Sequence, residues 1–189
     1  MIDGLRAIYN GFFGAIEWIT DGWFLGLAAR LMFSSALMLY FLNSAATKVG
    51  SGFPAWFVPT TGAYAQILPT VAEQYGYNAD KIPFLPYGAI VYAGTYAEFV
   101  LPILLLVGLF TRLSSVGLIG FIIVMTFVDM NFHGVDAKAI GEVFDRVHDS
   151  AISDQRLLWC FPLLYLTLKG PGGLSLDTLL GHFIAREEI

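Results

Sequence analysis

"GTYAEFVLPILLLVGLFTR", residues 94–112, decides the fold. From Phe99 to Phe110 the run carries no charge. With the apolar residues before it, it reaches the roughly 20 residues that a helix needs to cross a bilayer core about 30 Å thick. Glu98 stands inside this span. An acid at such a position costs about 2.5–3.5 kcal/mol on insertion scales, so it faces the interior of a helical bundle and finds a partner there. Pro102 adds a second polar feature, because a helical proline leaves the carbonyl four residues earlier unbonded. That carbonyl belongs to Glu98.

The rest of the chain fits a membrane protein. Of its 189 residues 57% are hydrophobic and only 13% charged, about half the charge of an ordinary soluble domain. A net charge of −5, from 15 acids against 10 bases, gives nucleic acid no basic surface to bind. The single Cys160 excludes an internal disulfide and a thiolate metal cage. It reads as a small buried hydrophobe. The first residues carry Asp3, Glu17 and Asp21 and no basic leader, so no signal peptide is expected.

Four stretches have the length and apolarity of spans: 23–43, 87–110, 113–132 and 152–169. The last is the weakest. The reading is all-α: an integral membrane four-helix bundle at 23–180, preceded by an interfacial amphipathic helix at 1–22 and followed by a tail at 181–189. Leu5, Ile8, Phe12, Ile16 and Ile19 recur at helical spacing in the first segment, as in a helix lying on a membrane surface. Segment 44–86, with five prolines and interleaved aromatics, is a long connection of short helical pieces that can cover the bundle as a lid.

Four spans place both termini on one face, side one, with the tight turn at Arg112. Arg6, Arg112, Lys169 and Arg186 share that face, and residues close to span ends dominate the positive-inside bias, so side one is expected to be cytoplasmic. Segment 44–86 is then a periplasmic loop on side two.

On the first span Arg30, Ser34, Ser44 and Lys48 fall in one arc at 100° per residue, a polar stripe suited to Glu98. Arg30 is a partner within reach, although helical side chains lean toward their own N-termini and so tilt Arg30 and Glu98 apart in antiparallel helices. Thr126, Asp129 and His133 line one face of the third span. With Glu98 and Lys48 they outline a polar cavity open to side two. Asp129 and His133 supply only two metal ligands, and the acids around them read as a solvated rim, so no metal is assigned. In "KGPGGLSLD", 169–177, Ser175 caps a short helix that has Asp177 in its first turn.

This order of features resembles the DoxX family of small four-span membrane proteins. The resemblance rests on Arg30 in the first span and Lys48 just after it, on Glu98 before "PILLLVGLFTR" (102–112), and on the closing "DQRLLWCFPLLYLTLKGPGGLSLD" (154–177). It implies a bacterial cytoplasmic-membrane bundle linked to quinone-coupled oxidation of sulfur compounds and to other membrane redox proteins, with no intrinsic cofactor and quinone as the associated one. Three functions follow. In the first the chain is an auxiliary subunit whose Arg30, Lys48, Glu98, Asp129 and His133 line a head-group pocket or proton path. The others are a non-catalytic scaffold and a small-molecule carrier. Whether the chain is an enzyme is open at this level.

Overall fold

A computed structural model describes residues 2–187 of the chain. These residues form nine α-helices and no named strand: α1 Ile2–Thr20, α2 Phe24–Ala46, α3 Thr61–Ile67, α4 Pro69–Gln74, α5 Ala89–Val107, α6 Thr111–Phe132, α7 Ala137–Ile140, α8 Ser153–Lys169 and α9 Leu176–Glu187. Three segments are long and apolar enough to cross a membrane: Phe24–Ala46, Phe84–Val107 and Thr111–Phe132. The second joins α5 to the wide turn Phe84–Gly88. α8 has 17 residues, about 25 Å of helix at 1.5 Å per residue. It also carries Asp154, Arg156 and Lys169, which separates it from the other three.

α2, α5, α6 and α8 pack as a closed ring in which α2 touches α5 and α8, and α6 touches the same two. Their shared core is Phe33, Leu37 and Phe41 of α2, Leu105 of α5, Leu118 and Ile122 of α6, and Leu163 and Leu166 of α8. The i, i+4 spacing of Phe33, Leu37 and Phe41 puts them on one stripe, and the rings of Phe33 and Phe41 stack at 6.0 Å. Outward residues such as Leu31, Leu39, Ile123 and Leu164 are large, apolar and exposed. A helix apolar all round belongs in a membrane or a large core.

The side-one end is closed by chain turns. Gly108, at φ 72°, ends α5 in the left-handed conformation, and Leu109 N–H reaches back to the Leu104 carbonyl at 2.9 Å. Such a cap favours glycine. Three residues after Gly108 α6 begins, and Asp177 of α9 caps it: its carboxylate accepts from the N–H groups of Phe110 at 2.6 Å and Thr111 at 2.8 Å. Ser175 caps α9 as the sequence implies, accepting from Thr178 N–H at 3.2 Å. α9 runs through most of the segment read as a tail, and residues 188 and 189 lie outside the described residues.

Segment 44–86 folds as a helical cap on the side-two end of α5. Ala63, Tyr64, Ala72 and Ile82 bury themselves with Val91 in a second small core. Burial first, and neighbouring Tyr92 second, push the Tyr64 hydroxyl above the usual phenol range. α1 contains no buried residue and leaves Ile8, Phe12 and Trp18 exposed.

Candidate functional site

Glu98 is buried in α5 and its partner is Lys48, one residue beyond Thr47, the C-cap of α2. Lys48 Nζ stands 2.8 Å from Glu98 Oε2, and both side chains are only 4% exposed. The same ammonium donates to Ser44 Oγ at 2.8 Å and to the Ser44 carbonyl at 3.3 Å. All three of its N–H bonds therefore have acceptors, which an ammonium needs when it leaves water. The Lys48 backbone is fixed as well, because its carbonyl accepts from Thr60 N–H at 2.8 Å.

Arg30 does not meet Glu98. Its guanidinium donates to the Leu106 carbonyl at 3.0 Å and to the Leu174 carbonyl. The reason is the lean of helical side chains toward their N-termini. Glu98 tilts toward the start of α5, where α2 ends at Lys48. Arg30 tilts the opposite way, to the C-terminal carbonyls of α5, where a cation also meets the favourable end of the helix dipole. Leu106 lies eight residues beyond Glu98, about 12 Å along the axis.

The remaining three sequence-derived candidates do come together with Glu98. Lys48, Glu98, Asp129 and His133 all line one cavity of about 590 Å³, although its lining is mostly apolar rather than polar and Thr126 is not part of it. Its walls are thin by composition. α5 contributes Ala93, Gly94 and Ala97, and α6 contributes Gly117 and Gly120. The two helices touch where a Cβ added to Gly117 would stand 3.0 Å from Leu101 Cδ1. Between that contact and side two, small residues leave the space open. Gly117 to His133 covers 16 residues, about 24 Å of helix rise. Tyr40 of α2 and Phe121 of α6 supply aromatic surface, and Gln66 and Ile67 of α3 close over the cavity as a lid.

At the side-two rim Asp129 organises a second cluster. One oxygen lies 2.7 Å from His133 Nδ1, and the other accepts from Arg156 of α8. Arg156 also donates to Thr126 Oγ1 at 2.8 Å. Among the described residues no three His, Cys, Asp or Glu side chains form a metal-binding group.

Sequence reasoning missed Arg156, within the 152–169 stretch, and missed Tyr40, Gln66 and Ile67. The signal for Arg156 was the rule applied to Glu98: an ionisable residue in a span needs a counter-charge, and Asp129 was already assigned inward. Nothing in the sequence pairs Gln66 or Ile67 with the bundle, because their placement depends on how segment 44–86 folds back. Cys160 is half-buried and free, and it packs against the core with Trp159 and Tyr165.

The family model described as DoxX matches residues 25–130. That range covers α2, the cap, α5 and nearly all of α6, and so includes every side chain that lines the cavity except His133. No curated protein and no solved structure matches the chain.

Proposed function

The chain belongs to the DoxX family of membrane proteins, and from that premise we propose that it is an auxiliary subunit of a quinone-linked membrane redox system. It holds a quinone head group at the Lys48–Glu98 end of the cavity and carries no redox centre of its own. The observation that carries this reading is a buried, internally neutralised ion pair on the wall of a largely apolar cavity between membrane helices. Small-molecule sites are mostly apolar with a few placed polar groups. Tyr40 and Phe121 offer a planar ring aromatic surface, and its oxygens find Glu98 and His133 as hydrogen-bonding groups, with Lys48 already committed to Glu98 and Ser44. Asp129 and His133 at the rim carry protons between the head group and water on side two.

In this reading α8 is the fourth span, since it completes the ring with α2 and α6. Both termini are cytoplasmic, α1 lies on that face of a bacterial inner membrane, and the cap on α5 is periplasmic. The redox centre and its sulfur-containing or other substrate reside on partner membrane proteins.

Purification in mild detergent, followed by extraction and mass spectrometry of bound lipids, tests the proposal. Near-stoichiometric quinone that is lost in Glu98→Leu and retained in Ile123→Ala, on the lipid-facing side of α6, is the expected result. Protein that binds no quinone, in extracts or on titration, would return Glu98 to a packing role.

A further inference from the structure

We propose that the gap between α5 and α6 seats the long apolar chain of a membrane quinone, and that the ligand enters sideways from the bilayer. The inference rests on the quinone reading above and names which quinones the site takes. Four residues lining the cavity, Ile90 and Ala93 of α5 and Gly120 and Val124 of α6, are exposed rather than closed over by the bundle. Gly120 lies nine residues from the start of α6 and thirteen from His133, about 14 Å and 20 Å along the axis. An opening at that depth faces hydrocarbon, so only an apolar chain reaches it without desolvating polar groups.

The head end excludes the commonest chain-bearing alternative, a phospholipid. Lys48 is the cation lining the cavity, and Glu98 already neutralises it at 2.8 Å. Asp129 adds a negative charge at the rim, and Arg156, just behind it, is committed to Asp129 and Thr126. A phosphate would find no unpaired cation there, since each positive charge at that end already has its carboxylate. A neutral ring with carbonyl or hydroxyl oxygens meets hydrogen-bonding groups and aromatic faces instead. The occupant is therefore an uncharged head on a long chain, with the head toward side two and the chain running toward Gly117.

Gly120 gives a clean test, because a Cβ added there meets nothing within 4 Å. Gly120→Leu should fold, since leucine favours helix over glycine, and its side chain projects into the proposed chain path. The probes are a benzoquinone with a polyisoprenoid chain and the same ring with methyl substituents only. Each is titrated into protein in nanodiscs, with concentrations expressed per lipid. Binding is read as quenching of Trp159, whose ring stands 5.5 Å from that of Tyr40 on the cavity wall and which is kept as the sole tryptophan by replacing Trp18, Trp23 and Trp56 with Phe.

Gly120→Leu should weaken the chain-bearing quinone by about tenfold, the low end of an overpacking effect, and leave the short ring within about twofold. Val124→Phe should act in the same sense. Ile123→Phe, on an exposed face that does not line the cavity, should change neither affinity. If both cavity variants leave chain-bearing quinone unchanged while the wild type binds it, the chain path is overturned and the head-group reading stands. If the wild type binds neither probe, the quinone reading itself fails. Phospholipid that co-purifies stoichiometrically and is displaced by Gly120→Leu would overturn the occupant.

Discussion

Removing one member of the Lys48–Glu98 pair should damage the protein more than removing both. At 2.8 Å the attraction between unit charges is about 6 kcal/mol at an effective dielectric near 20. Desolvation of the two groups cancels much of that, so the pair itself contributes little net stability. Leaving one charge alone in the same environment costs about 3–5 kcal/mol. Glu98→Leu should fall near the lower limit, because Lys48 keeps its two bonds to Ser44. Lys48→Met should fall nearer the upper one, because it removes the hydrogen-bonded cation facing the acid. The double variant should regain at least about 3 kcal/mol relative to the summed single losses, a coupling at the top of the usual range for neighbours. Unfolding in mixed micelles of rising denaturing-detergent fraction, followed by circular dichroism, measures all four states. Arg30→Gln provides the control, and its loss should add to that of Glu98→Leu within about 0.5 kcal/mol. Additive losses for Lys48 and Glu98, or strong coupling between Arg30 and Glu98, would refute the assignment of partners.

Arg30→Lys should cost about 2–3 kcal/mol of stability in the same assay, because a single ammonium does not replace a fork bridging the Leu106 and Leu174 carbonyls; faster proteolysis after Gly170 would accompany it. Cys160→Ser should leave quinone content and thermal stability nearly unchanged, since the thiol is half-buried and no second cysteine exists to resolve it; an inactive but folded variant would point to a mixed disulfide with another protein. A cysteine at exposed Asp80 in a Cys160→Ser background should react with a membrane-impermeant maleimide on intact cells of an outer-membrane-permeabilised bacterium, whereas labelling only after lysis would reverse the orientation.

Much of the bundle was legible because its causes are local. Apolar length marks α2, α5 and α6, and the helical period of Leu5, Ile8, Phe12 and Ile16 marks α1. The polar arc also transferred, since Arg30, Ser34 and Lys48 are buried on the stripe assigned to them and Glu98 is buried opposite. α8 resisted because its charges are tertiary: Arg156 is held inside by Asp129 and Thr126, a compensation hydropathy along one segment does not register. The partner of Glu98 resisted for a related reason. Arc membership placed Arg30 and Lys48 together, but only the height of each side chain along the bundle separates them, and that height depends on lean and on how far α2 extends beyond Asn43.

The same lean explains why one end of the bundle is locked and the other holds a cavity. On side one, side chains of α2 tilt toward the turn after α5, so Arg30 fastens Leu106 to Leu174, and Asp177 fastens α9 to the start of α6. A cation meets a helix C-terminus and an anion meets a helix N-terminus, which are the favourable senses for both dipoles. On side two, Glu98 tilts away from that clasp and is satisfied by a residue of the connecting segment, with Thr60 holding the Lys48 backbone. The acid in "GTYAEFVLPILLLVGLFTR" is therefore tolerable because its counter-charge comes from the far end of the neighbouring helix. That arrangement leaves the small residues of α5 and α6 free to face an open volume, and it puts the hydrogen-bonding groups at the end of that volume nearer water. A scaffold that needed Glu98 for packing alone would gain stability by filling the gap at Gly120, where the structure leaves room for a side chain.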